Sequence, residues 1–313
     1  MPVAVIDIGS NSIKILVADR TGTGAFTALK YKTLDARISA GISRDNPELS
    51  AEGMARGVAA VAELVADAAA FEPAKIVLVA TSAVRDARNG GDFVAAIREA
   101  TGHDVRILGG EEEANLIGRG LTCDPALAGA RNFYLFDLGG GSLECLAFRE
   151  RKITQAISLP LGCVRLTELC VNDPSRPFSE AERLAVADHV KLTLRQSGFR
   201  FDLPPDAAAI GTGGTLTTAR AILAERRGKT LATSDTLLTV DELRELLNYV
   251  GRCDLTDRKR IPAMPAARAD VFPTAIATVL AVADVGGLGA YWNSLYNLRW
   301  GVAAELLEQS MHR

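Results

Sequence analysis

The sequence is poor in the residues that build several common kinds of site. It holds only three histidines, so a histidine-rich metal centre is not expected. Its five cysteines, Cys123, Cys145, Cys163, Cys170 and Cys253, include no C-x-x-C pair. An odd number of scattered thiols argues against a disulfide framework and fits a reducing compartment. No uncharged apolar run reaches the roughly 18 residues that a bilayer span needs. The first apolar segment opens at Val3, which leaves no room for a signal peptide. A cytoplasmic protein with no membrane partner is therefore expected. A basic excess is missing too: 35 Lys and Arg against 38 Asp and Glu give a formal net charge of −3. That argues against general nucleic-acid binding, although a local basic channel remains compatible with it. There is no short repeat and no low-complexity tract.

What is present suffices for two domains. The chain has 313 residues, of which 48% are hydrophobic and 23% charged, enough for a sizeable core in each half. The alternation of strand and helix signals predicts an α/β fold. Val3–Asp7 and Ser12–Ala18 read as a hairpin. Ser50 is placed to cap a long Ala-rich helix ending near Phe71, with Glu52 at its positive end. Lys75–Ala80 reads as a strand buried on both faces. A helix near residues 92–101, a strand at 104–108 and a helix from Gly110 to Gly120 follow. Residues 122–131, with Pro125 and Gly129, read as a linker, so the expected domains are 1–124 and 125–313. The second half opens with another hairpin and adds a strand at Lys152–Leu159. Its helices are expected near 179–196, 216–227, 240–251, 268–285 and 300–309. The apolar residues of the 268–285 segment, among them Val271, Phe272, Ile276, Val279 and Leu280, read as core.

One signature occurs twice. Asp7-Ile8-Gly9-Ser10-Asn11-Ser12 and Asp137-Leu138-Gly139-Gly140-Gly141-Ser142 each read as strand, acidic residue, glycine turn, hydroxyl, strand. A third loop, Gly211-Thr212-Gly213-Gly214-Thr215, follows an apolar strand and opens a helix. Glycine lets backbone N–H groups converge on an anion, because no Cβ intervenes and positive φ is allowed. A hydroxyl adds a further donor. Carboxylates such as Asp7 and Asp137 repel phosphate, and a divalent cation or a water between them reconciles the two. One Asp-x-Gly-Ser is an ordinary hairpin turn. Three glycine loops in one chain, two of them matched at Asp-x-Gly, point to two related half-molecules facing one polyanion.

VIDIGSNSIK, ATSAVRDARNGGDF, GGEEEANLIGRG, FDLGGGSLE, LGCVR, GTGGT, RADVFPTAIA and LRWG occur in one order along the chain. In that order they resemble the exopolyphosphatase/guanosine pentaphosphate phosphohydrolase (Ppx/GppA) family of the actin-like superfamily. The resemblance covers essentially the whole chain, which lacks the long C-terminal extension of larger members. It implies two actin-like (ribonuclease H-like) domains with an interdomain cleft, and a homodimer, which is common in the family. It implies Glu113 as general base, with Glu112 its nearest competitor. Asp137 and Glu144, with Asp7 as partner, are implied to hold Mg2+ or another divalent cation or to order the attacking water. Gly9, Ser10, Asn11, Ser12, Gly139, Gly140, Gly141, Ser142, Gly213, Gly214 and Thr215 are the implied phosphate cradle, and Arg85 an implied bidentate clamp. Thr81 and Ser82 offer further hydroxyl donors, Lys14 follows the first loop, and Arg268 and Arg299 stand in matched segments along the implied path of the substrate. Two departures stand out: Leu143 replaces a common Thr, and Trp300 a common Glu.

The expected activity is removal of the terminal phosphate from linear inorganic polyphosphate. The alternative substrate is guanosine pentaphosphate. A reading of another class is a nucleotide-binding actin-like regulator or scaffold, and a sugar kinase ranks below these.

Overall fold

The computed structural model describes residues 1–21, 25–39 and 47–309. The chain divides into two compact units, Met1–Ala128 together with the chain from Tyr296 onward, and Gly129–Leu295. The α/β class expected from the sequence is observed: each unit is built on one mixed sheet.

In the first unit the strands are β1 (Val3–Ile8), β2 (Ile13–Arg20), β3 (Phe26–Leu34), β4 (Lys75–Ala80) and β5 (Val105–Ile107), in the order β3-β2-β1-β4-β5. β1 runs antiparallel to β2 and parallel to β4. Its run Val-Ala-Val-Ile-Asp-Ile is buried throughout, as a central strand covered on both faces must be. Helix α1 (Ala51–Ala69) is capped by Ser50, whose hydroxyl accepts from Gly53 N at 3.1 Å. Helices α2 (Ser82–Asp86) and α3 (Gly90–Thr101) connect β4 to β5, and α4 (Gly110–Thr122) follows β5.

The last helix, α11 (Leu298–Gln309), belongs to this unit. It crosses α4 at two glycines. A Cβ on Gly120 would lie 2.0 Å from the Asn297 carbonyl oxygen, and one on Gly301 would lie 1.8 Å from that of Leu116. Only a bare backbone permits that approach. The expected division at 124/125 left this segment with the second half, because sequence order alone does not show a return crossing.

The second unit contains β6 (Phe133–Leu138), β7 (Leu143–Arg149), β8 (Lys152–Leu159), β9 (Ala208–Thr212), β10 (Leu237–Thr239) and β11 (Ala290–Asn293), in the order β10-β11-β9-β6-β7-β8. Its helices are α5 (Cys163–Cys170), α6 (Glu180–Gln196), α7 (Gly213–Arg226), α8 (Val240–Arg252), α9 (Leu255–Arg260) and α10 (Phe272–Gly286). Capping boxes start α6 at Ser179/Glu182 and α8 at Thr239/Glu242. α10 is buried almost all round, and its Val, Ile, Leu and Phe side chains form the centre of the core. It begins at Phe272 rather than at Arg268, because Pro273 suits a first turn and residues 266–268 form a separate 3-10 turn.

The two sheets share their wiring. In each, an antiparallel three-strand meander (β1–β3, β6–β8) is joined along its first strand by a parallel strand (β4, β9). The segment after β4 therefore occupies the position in its unit that Gly213-Gly214-Thr215 occupies after β9.

Candidate active site

In the first unit, the β1–β2 turn closes through Gly9 N donating to Ser12 O at 3.2 Å. The residue opposite Asp7 in the strand register is Lys14. The turn is held from behind by the chain after β3: Arg37 N donates to Asn11 O at 2.9 Å and Ser39 N to Ser10 O at 3.2 Å. The hydroxyls of Ser10 and Ser82 lie 3.3 Å apart, which ties the loop to the start of α2. One turn further on, Arg85 Nη1 donates to the Leu108 carbonyl and to Glu113 Oε2, each at 2.8 Å.

That ion pair separates the three consecutive glutamates. Glu111 is exposed. Glu112 Oε2 accepts from Gly109 N at 3.4 Å as a helix cap, and its Oε1 accepts from Arg106 Nε at 3.0 Å. Glu113 is 5% exposed, and its carboxylate is oriented by the Arg85 guanidinium. The two residues that the resemblance implied as base and clamp are thus brought together.

In the second unit, the β6–β7 turn repeats the same bond, Gly139 N to Ser142 O at 3.0 Å. Here the residue opposite Asp137 is Glu144, so two carboxylates stand on neighbouring strands and share one face of the sheet. Both are buried. Ser158, opposite Glu144 on β8, donates its hydroxyl proton to Glu144 Oε1 at 2.7 Å. The loop carbonyls are satisfied by the amino end of α5: Cys163 N donates to Gly139 O, and Val164 N and Arg165 N donate to Gly140 O.

Beside Asp137 lies the amino end of α7. Gly213 takes φ +85°, and a Cβ there would stand 2.4 Å from Asp137 Oδ1, so this position requires glycine twice over. The hydroxyls of Thr212 and Thr215 are buried and form no hydrogen bond among the described residues. Amides and hydroxyls collected at a helix amino end suit an anion. Arg268 packs against this turn, since a Cβ on Gly214 would lie 2.1 Å from its Nη2.

The residues also exclude some chemistry. Burial raises the Cys163 thiol above its ordinary pKa, and the Arg268 charge opposes this without reversing it, so Cys163 is no thiolate nucleophile. Among the described residues no group of three His, Cys, Asp or Glu forms a metal cage. The donor set that does exist, Asp137 with Glu144, is two hard oxygen ligands. That matches magnesium, which commonly takes one or two carboxylates and completes its shell with water and phosphate.

Arg299, expected along the substrate path, and Trp300, one of the two departures from the family pattern, differ in their surroundings. Arg299 is buried, donates to the Ile15 carbonyl at 3.1 Å and sits 5.7 Å from the Tyr31 ring centroid, as a strut between α11 and the sheet. Trp300, where a glutamate is common, is 2% exposed and stacks on Tyr296 at 4.5 Å. Sequence reasoning missed Ser158, whose link to Glu144 is visible only in the strand register.

Three solved structures have the same fold over nearly the full length. An exopolyphosphatase from Cytophaga hutchinsonii is 23% identical, with a TM-score of 0.87 and coverage of 99% of this chain and 98% of that one. The Ppx/GppA family member from Aquifex aeolicus is 22% identical, with a TM-score of 0.79 and the same coverages. An exopolyphosphatase-like protein is 21% identical, with a TM-score of 0.87, covering 99% of this chain and 100% of that one. Residues 16–310 match the model of the Ppx/GppA phosphatase family. The glycine hairpins, the paired carboxylates and the Arg85-held glutamate therefore stand in a chain that belongs to the Ppx/GppA phosphatase family.

Proposed function

We propose that this phosphatase is an exopolyphosphatase, releasing orthophosphate from the end of linear inorganic polyphosphate. The observation that carries the reading is the buried Glu113 carboxylate, held by Arg85 while Glu112 is spent on a helix cap and on Arg106. A positioned carboxylate takes the proton that water must lose as it attacks the terminal phosphorus. The oxygen of that water bonds to phosphorus, the bond to the bridging oxygen breaks, and the shortened chain leaves with the electron pair. Arg85 orients Glu113 and offers its remaining N–H groups to the terminal phosphate. The amides and hydroxyls of Gly9, Ser10, Asn11 and Ser12, and of Gly139, Gly140, Gly141 and Ser142, receive phosphate oxygens. Gly213, Gly214, Thr215 and Arg268 hold a further phosphate of the chain. In the second unit Asp137 and Glu144 are the residues that would hold a divalent cation, which when bound neutralises charge on the phosphates, and Asp7 is their counterpart in the first unit. A cytoplasmic homodimer is part of this reading.

The test offers polyphosphate and guanosine pentaphosphate to the purified protein at equal concentration, with and without magnesium. Magnesium-dependent release of orthophosphate from polyphosphate at the higher kcat/KM is expected. A far higher kcat/KM on guanosine pentaphosphate would reassign the substrate, and release from neither would reject hydrolysis of both.

A further inference from the structure

Arg258 is the most completely satisfied buried cation of the second unit. It is 1% exposed on the short helix α9, whose first turn is capped by Asp254. Its Nε donates to the Cys253 carbonyl at 3.1 Å. Nη1 donates to the carbonyls of Ala269 at 3.0 Å and Asp270 at 3.5 Å. Nη2 donates to the carbonyls of Pro174, at 3.0 Å, and Arg176. A guanidinium has five N–H groups, and here they meet five main-chain carbonyls from three separate segments. The end of α8, the loop between α5 and α6 and the turn before α10 converge on one side chain.

An apolar plug of similar size would fill the space but leave those carbonyls unpaired, at the cost that attends buried unsatisfied groups. A lysine presents three donors on a single nitrogen and cannot reach the same fan of acceptors. The fork is therefore matched to the turn it holds. That turn matters because Ala269 and Asp270 directly follow Arg268. The Arg268 guanidinium reaches back to Gly214 at the amino end of α7, and forms no hydrogen bond or ion pair with another described residue.

We propose that Arg258 is a positioning residue for substrate binding: by fixing the Ala269–Asp270 backbone it presents Arg268 at the amino end of α7, where a phosphate of the substrate chain is received. This rests on the role given above to Arg268. Arg258 touches no substrate atom itself, and its effect passes through the neighbouring turn.

The experiment is a double-mutant cycle read by calorimetric binding of sodium tripolyphosphate to the full-length protein. Arg268→Ala is expected to weaken binding about tenfold, and Arg258→Met about fivefold, while the double variant is no weaker than Arg268→Ala alone, as coupled residues require. KM for polyphosphate follows the same pattern, with kcat at saturation within about twofold of wild type. A purely structural role predicts that the two losses multiply. Multiplying losses, or unchanged affinity in a folded Arg258→Met protein, would overturn the proposal, as would an Arg268→Ala protein that binds like wild type. Should Arg258→Met not fold, Arg258→Lys enters the same cycle with an expected loss of about threefold, and wild-type affinity in that variant counts against the proposal. The two readings fail separately. A coupled cycle in a protein that hydrolyses neither substrate would remove the exopolyphosphatase reading and keep the positioning role. Normal turnover with an additive cycle would do the reverse.

Discussion

The two glycine hairpins have the same turn and different electrostatics. Each closes with a glycine N–H donating to the oxygen of the serine three residues on, at 3.2 Å for Gly9 and 3.0 Å for Gly139. Each carries an aspartate two residues before that glycine. The difference lies across the strand register, where Asp7 faces Lys14 and Asp137 faces Glu144. By residue type the first pair joins an acid to a base, and the second joins two acids. Under the proposed reading one backbone device serves two purposes: the first hairpin would offer amides and a cation to phosphate, and the second oxygen ligands to a divalent ion. The supports differ as well. Main-chain amides after β3 hold the first loop, whereas the amino end of α5 holds the second.

Several changes would break or sharpen that contrast. The largest effect is expected from Glu144→Lys, which gives the second hairpin the charge of the first. Turnover of polyphosphate should fall by about 10²-fold or more, with magnesium no longer stimulating what remains. Glu144→Gln, which keeps the shape, should show the same direction in the magnesium titration, and a normal titration in a folded Glu144→Gln protein would remove Glu144 from the cation site. The reciprocal change, Lys14→Glu, places two carboxylates on the first hairpin. It should raise KM for polyphosphate about tenfold, and less so at high salt, because the lost attraction is screened. An unchanged KM would show that Lys14 does not meet the substrate. The smallest effect is expected from Ser158→Ala. Losing the hydroxyl that orients Glu144 should raise the magnesium concentration for half activity about threefold, with thermal stability nearly unchanged and with recovery in Ser158→Thr.

Much of the fold was legible because its signals are local. The Asp-x-Gly turns, the Ser50 cap and the apolar run Lys75–Ala80 are each written in fewer than ten neighbouring residues, and the corresponding turns, cap and strand are observed. What was not legible depends on partners far along the chain. Nothing near Gly301 tells that it meets Leu116, nor does the segment around Arg299 show that its guanidinium reaches Ile15. Three consecutive glutamates look alike in sequence, and they separate only when Arg106 takes one and Arg85 another. The start of α10 was placed four residues early because apolar periodicity continues through Val271, while Pro273 and the 3-10 turn before it set the true beginning. Arg258 gave no signal at all, since its partners are main-chain carbonyls, which any sequence supplies.

The proposed function gives the proton acceptor to neither hairpin but to Glu113, the carboxylate held by Arg85. The most direct test is phosphate release from long polyphosphate by Glu113→Gln beside wild type, with tripolyphosphate binding measured on both. The amide keeps nearly the same volume but accepts no proton, so kcat should fall by about 10²- to 10⁴-fold while the affinity stays within about threefold. Wild-type turnover by a folded Glu113→Gln protein would contradict the account.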